Sequence, residues 1–282
     1  MPFETLASLS LPGDSAKPNE DAFGSSAKAA LMMDGATGLG EALLPGDSDA
    51  AWLARFGAER LMFYLRTGLK PRIVLNAVFN EVEHAFVTQR KRAPKETYEI
   101  PFASMMLVAS NDMGFDALWY GDCAALVARP GEPVEVVGEA IAKRASEAER
   151  VAKLAASHGL SPAAGFNRPQ YLDALRRARN TVNSERGGWL FGPDARAADH
   201  VAERNMVAPI GTRILLVTDG FLALASDYHR YDAQGLMEAA ASKGLETLGR
   251  ELREIENADA EGRRYPRFKT SDDATAVLLR IA

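Results

Sequence analysis

Cysteine is almost absent. Cys123 is the only one in 282 residues, which excludes an intrachain disulfide and a cysteine-built zinc cluster, so a metal here would have to be held by other atoms. Histidine is scarce too: His84, His158, His200 and His229 show neither an HExxH pattern nor a paired spacing, and each reads as a surface or helix-end residue. No run approaches the ~20 apolar residues of a membrane span. The opening MPFETLASLSLPGDSAKPNEDAF has no basic stretch followed by an apolar one, so the expected address is cytoplasmic. Positive charge forms no long tract. A net charge of -5 without a long basic tract leaves no electrostatic footprint for nucleic acid or an anionic membrane. P-loop and GxSxG signatures are also missing.

What is present is a core. With 47% hydrophobic residues the chain can bury a substantial interior. Strands are expected at Ala29 to Met33, Ala103 to Ser110, Phe115 to Tyr120, Ala124 to Arg129, near Val134 to Val137, at Ile214 to Thr218 and at Ala274 to Ile281. The middle four, separated by short polar or glycine-bearing turns, read as an antiparallel meander. Helices are expected around Ala50 to Thr67, at Pro71 to Arg90 and between about Asp232 and Ile255. In the second, Ile73, Val74, Ala77, Val78, Val82, Ala85 and Phe86 recur at helical spacing, as for a helix laid on a core. Between about Ile141 and Asn205 the sequence turns charged and alanine-rich, then glycine-rich in SERGGWLFGPDA, and reads as an insertion or lid. No repeat, low-complexity tract or linker divides the chain, so residues 1–282 read as one domain carrying an insertion at 141–205.

The apolar runs end on carboxylates. ILLVTDGF stops at Asp219-Gly220, AALMMDG at Asp34-Gly35, FDALWYGDCAALV turns at Asp122, and SDDATAVLLRI begins with Asp272-Asp273. A single Asp-Gly after a strand is an ordinary turn signal. Four such junctions, with Glu20-Asp21 in KPNEDAF ahead of the first strand, ask for a common cause. Hard divalent cations take carboxylate and carbonyl oxygens, and a strand end fixes its last side chain by packing. Glu20, Asp21, Asp34, Asp219, Asp272 and Asp273 in one partly buried cluster would repel by several kcal/mol, roughly, unless cations sat among them.

The order NEDA, MMDGATG, YGDCAAL, LLVTDGF and SDDATAVLL resembles the metal-dependent protein phosphatases of the type 2C (PPM) family, whose motifs run in this order over the catalytic domain. The resemblance spans about Asn19 to Ile281. It implies an α+β fold, a four-layer αββα sandwich of two antiparallel β-sheets flanked by helices, with 141–205 where the family carries its variable helical flap. It implies Mn²⁺ or Mg²⁺ as cofactor, two ions and a possible third. Asp34 would bridge the two. Glu20 and the Gly35 carbonyl would serve one, Asp219 and Asp272 the other, and Asp122 with Asp219 the third. Asp21 would hold metal-bound water. The implied activity is hydrolysis of phosphoserine and phosphothreonine in a phosphorylated protein substrate. The sequence also departs from the family. The arginine that clamps phosphate four residues before the glutamate is Ala16 here, with Lys17 beside it as a point charge, and the histidine often found after Asp-Gly is replaced by Ala36 or Thr37. Arg176, Arg177, Arg179 and Arg186 are candidates for the missing positive charge if the flap folds over the site.

Two other readings stand beside this one. GATGLGE after the first strand resembles a dinucleotide loop, but Glu41 stands where a third glycine is needed, Asp34 would face a pyrophosphate, and no βαβ unit follows. A catalytically impaired relative kept as a phosphoprotein-binding or regulatory module is the second, favoured by the absent arginine. Cys123 reads as a small packed side chain, and Trp52, Trp119 and Trp189 as packing, with Trp189 also placed to line a flap.

Overall fold

The computed structural model describes residues 1–141, 169–267 and 269–282. Among these residues ten strands form two wholly antiparallel sheets. One orders β1 (Phe3–Leu11), β10 (Ala274–Ile281), β9 (Arg213–Val217), β6 (Ala124–Ala128) and β7 (Glu135–Val137). The other orders β2 (Asp21–Ser25), β3 (Ala29–Gly35), β4 (Ala103–Asn111), β5 (Gly114–Tyr120) and β8 (Ala202–Val207).

Helices α1 (Asp49–Leu65) and α2 (Pro71–Gln89) pack on the second sheet, while α4 (Asp219–Ser226), α5 (Ala233–Lys243) and α6 (Leu245–Ala258) pack on the first. The central strands are therefore covered on both faces, which is why they read as unbroken apolar runs. In β3, Met32 turns to the space between the sheets with Met106, Leu216 and Val277, while Leu31 and Met33 turn to α1 and α2 with Leu53, Leu61 and Phe79. Across the molecule, Leu215 and Leu278 meet Phe221, Leu236 and Leu248. The expected four-layer sandwich is the observed one. Among the described residues no helix is long and apolar enough to cross a membrane.

Three strands were not anticipated. β1 and β2 lie in a stretch read for targeting signals and for the Glu20-Asp21 pair, and β8 overlaps the end of the span read as an insertion. Burial explains β8: only Met206 is buried in AERNMV, so the strand has no apolar face to read. Phe191 of WLFG is fully buried, packs against Phe79, and exchanges both backbone hydrogen bonds with Ala103, N···O 2.8 and 3.0 Å. This part of 141–205 is thus joined to the sheet and the core beneath α2. Of the expected helical sequence, α3 (Pro169–Arg179) is present, whereas ERVAKLAASHGL lies outside the described residues.

Candidate active site

Strand alternation places Asp34 on the face of β3 that carries Met32, turned to the opposite sheet at the end where the apolar filling stops. Its neighbours extend the polar row. Asp21 on β2 is directly opposite Asp34, and so is Ser104 on β4. Ser104 donates its hydroxyl to Asp122 and accepts the Asp122 N–H at 3.3 Å. Asp122 sits in the β5–β6 turn, where Gly121 has φ +70°, a conformation few side-chain-bearing residues adopt.

From the other sheet come Asp219 and Asp272. Asp219 does not end a strand in a turn, as its Asp-Gly pair suggested. β9 stops at Val217, Thr218 is the N-cap, and Asp219 is the first residue of α4, where a carboxylate meets the positive end of the helix. Gly220 is needed for contact, since a Cβ there would lie 2.0 Å from the Asp273 carbonyl oxygen. Asp34, Gly35, Asp122, Asp219 and Asp272 thus line one cavity of about 910 Å³.

Three other predicted residues stand around that cavity differently. Asp21 is buried behind Asp34. Thr218 donates to its Oδ2 at 3.0 Å, while its Oδ1 has no hydrogen-bond partner. Glu20 accepts hydroxyls on both oxygens, from Thr37 and from Ser48 at 2.6 Å. Ser48 also caps α1 through the Ala51 N–H, so Glu20 is tied to a helix N-terminus. Lys17 is not brought to the site. It lies on an exposed loop, 74% accessible, 3.5 Å from Asp14, and its neighbour Ala16 only closes that turn.

Electrostatics follow from this crowding. Burial, then the charges of Asp219, Asp21, Asp122 and Asp272, push the Asp34 carboxyl well above the ordinary range. Burial does the same to Asp21, reinforced by Asp273, Asp272 and Asp219. Cys123 is fully buried, and burial with the surrounding carboxylates drives its thiol up and away from nucleophilic character.

Residues that sequence reasoning did not single out complete the arrangement. Lys269, in a polar loop that reads as solvated, puts its ammonium 2.6 Å from Asp272 Oδ1 and lines the cavity. Arg179, at the end of α3, was one of several candidate arginines. It lines the same wall and donates to the Thr37 carbonyl at 2.6 Å, while Arg176 donates to the Leu39 carbonyl at 2.9 Å. Burial lowers the Arg179 guanidinium to about 10, against the pull of Glu20. Asp273, noted only as the partner of Asp272, is a clasp, accepting the Gly13 N–H at 2.8 Å and the Glu20 N–H at 2.6 Å. Arg253 donates to the carbonyls of Leu11, Pro12 and Asp272 and pairs with buried Glu256 at 2.6 Å, anchoring the loop that carries Asp272. Trp189 lines the cavity and stacks on His200, ring centroids 3.5 Å apart.

The donor set suits a hard divalent cation. It offers carboxylate and carbonyl oxygens, a buried carboxylate oxygen without a partner, and mutual repulsion that a cation would relieve. Among the described residues, no group of three or more His, Cys, Asp or Glu side chains is already arranged as a metal cage, so the site offers ligands around a cavity rather than a closed set.

No protein-family model matches the chain, and no curated protein matches it in sequence. Solved structures do. The serine/threonine phosphatase PstP/Ppp of Mycobacterium tuberculosis superposes with a TM-score of 0.58 at 14% identity, over 100% of this chain and 99% of that one. The PPM Ser-Thr phosphatase MsPP of Mycobacterium smegmatis, in complex with cacodylate, gives 0.57 at 15%, over 99% of each. The catalytic domain of PstP in complex with 2 manganese ions gives 0.52 at 15%, over 99% of this chain and 98% of that one. At these identities the likeness is one of architecture, and the chain shares the fold of the PPM serine/threonine phosphatases.

Proposed function

We propose that the chain is a metal-dependent phosphatase of phosphoserine and phosphothreonine. The observation that carries this is the meeting of Asp34 at the end of β3, Asp122 in the β5–β6 turn, Asp219 at the start of α4 and Asp272 just ahead of β10 on the wall of one cavity. Asp34, Asp219, Asp272, Glu20 and the Gly35 carbonyl would hold two Mn²⁺ or Mg²⁺ ions, with Asp122 and Asp219 serving a third. When bound, such ions acidify a water to hydroxide near neutral pH and neutralise charge on the phosphoryl group it attacks.

The remaining work falls to the chain itself. Asp21, held by Thr218, would accept a hydrogen bond from metal-bound water through its unpartnered oxygen. Thr37 and Ser48 fix both oxygens of Glu20, so its carboxylate presents one orientation. Arg179 takes the part first given to Lys17: fixed through one nitrogen to the Thr37 carbonyl on the cavity wall, it would offer its other N–H groups to a phosphoryl oxygen. The phosphoprotein is the expected substrate, and the wall of Trp189, Leu190, Tyr228 and Tyr265 offers an apolar surface to residues beside the phosphate.

A catalytically impaired phosphoprotein-binding module is the second reading, favoured by Lys17 lying outside the site and by the Lys269 ammonium on Asp272. Hydrolysis of p-nitrophenyl phosphate and of a phosphothreonine peptide, with Mn²⁺, Mg²⁺ or EDTA, separates the two. Metal-dependent turnover that Asp219→Asn abolishes is the expected result. Mn²⁺ binding by calorimetry with no phosphate released from either substrate would reject catalysis in favour of the module.

A further inference from the structure

The loop between α6 and β10 brings a lysine into a site that the preceding argument assigns to metal. Lys269 Nζ is 2.6 Å from Asp272 Oδ1, the oxygen that also accepts the Asp273 N–H at 3.0 Å. Both the donor and its carboxylate are about one-third exposed, and both line the cavity. Asp272, and behind it Asp34 and Asp219, attract this ammonium. Those are three of the carboxylates that would hold the ions.

A protein cation in contact with one such ligand relieves part of the repulsion that otherwise favours metal. An ammonium is a compact, mobile point charge on a flexible stem, so it can occupy the position and also vacate it. We propose that Lys269 is a built-in cation of the carboxylate cluster, seated on Asp272 in competition with a divalent ion, so that filling the site on the Asp272 side requires the ammonium to move off. The inference rests on the reading of the cluster as a metal site and deepens it: one ion is bound against a resident competitor. The Asp34–Glu20 side has no such contact from Lys269, so the two sides would fill unequally.

The test is Mn²⁺ titration of the full chain by calorimetry, with thermal melts of the same proteins with and without Mn²⁺. Wild type is compared with Lys269→Met, Lys269→Gln and Lys269→Arg. Removing the charge should tighten the weaker Mn²⁺ site by about 10-fold or more, the scale on which groups beside metal ligands tune affinity. The metal-free Met and Gln variants should melt below wild type, gain more on Mn²⁺ addition, and leave Lys269→Arg close to wild type. Two uncharged variants are included so that a folding defect in one does not decide the matter. Mn²⁺ binding unchanged or weakened in the folded uncharged variants overturns this inference and leaves the metal site standing. Absence of Mn²⁺ binding in every protein, wild type included, overturns the metal reading and this inference together.

Discussion

Asp21 and Asp34 stand directly opposite one another on adjacent antiparallel strands, and the Thr218 hydroxyl, arriving from the other sheet, donates to Asp21. Facing like charges on paired strands cost stability. Asp34→Asn should therefore stabilise the metal-free protein, by up to about 1 kcal/mol on the scale of cross-strand pairs. It should also lower Mn²⁺-dependent turnover by about 100-fold or more, the loss expected for a direct ligand given the 10–100-fold of outer groups. Thermal melting in EDTA and initial rates in Mn²⁺ check the two halves. A metal-free Asp34→Asn protein that melts below wild type would contradict the charge argument.

Thr218 serves both sheets at once, donating to Asp21 and accepting the Thr275 N–H at 2.9 Å in a fully buried setting. Thr218→Val keeps the shape but removes a donor from Asp21 and the acceptor of the Thr275 N–H. Urea unfolding should show a loss of about 1–3 kcal/mol, the cost of orphaned buried polar groups.

Arg179 is the cation assigned to phosphate. Arg179→Ala should raise KM for p-nitrophenyl phosphate about 10-fold or more, in line with about 1.5–3 kcal/mol for a hydrogen bond to a charged group. Arg179→Lys should recover only part of it, because the ammonium lacks the planar fork. Steady-state kinetics would reject the assignment if KM were unmoved.

Glu99 carries a pH dependence distant from the carboxylate cluster. The Arg92 guanidinium, which donates to both its oxygens, and the Lys95 N–H hold its carboxyl down at about 2. A carboxylate depressed in the folded state contributes stability above its unfolded value of about 4.5, and that contribution drains away as pH falls toward 2. Arg92→Met should lower the urea midpoint at pH 7. The gap from wild type should narrow as pH is stepped from 5 to 3, and a gap that widens would have the wrong sign.

Phe191→Ala tests whether WLFG belongs to the core. With the ring fully buried against Phe79, the expected loss is about 3–5 kcal/mol by denaturant unfolding. A loss below about 1 kcal/mol would return the segment to the status of a loose lid.

Much of the architecture could be read because the signals were strong. α2 repeats its apolar residues at helical spacing from Ile73 to Phe86, and β3, β4 and β9 are apolar throughout because helices and a second sheet cover both faces. β8 could not be read, since an edge strand with one buried residue carries no pattern, and β1, FETLASLSL, buries only Phe3 and Leu9 deeply. Asp34, Asp122, Asp219 and Asp272 were visible because a charge interrupting an apolar run is costly and so informative. Lys269 and Ser104 were not: a lysine in AEGRRYPRFKTS looks like any solvated charge, and a serine entering an apolar strand looks like tolerance, until the fold places one on Asp272 and the other on Asp122. Lys17 misled for the same reason. Nearness in sequence to Glu20 said nothing of where its side chain would point.

β1 pairs with β10 along nearly its whole length, Phe3 opposite Ile281 and Leu11 opposite Ala274. During synthesis on the ribosome β1 therefore waits for its partner strand until the more than 260 residues between them have emerged. Loop closure over that separation is slow compared with local hairpins. The β3–β4–β5 meander can form early, bringing Asp34 and Ser104 together, but Asp272 arrives only with β10. A nascent chain can thus assemble Asp34 beside Ser104 while Asp272 is still pending, so the carboxylate cluster is completed only when β10 joins the sheet.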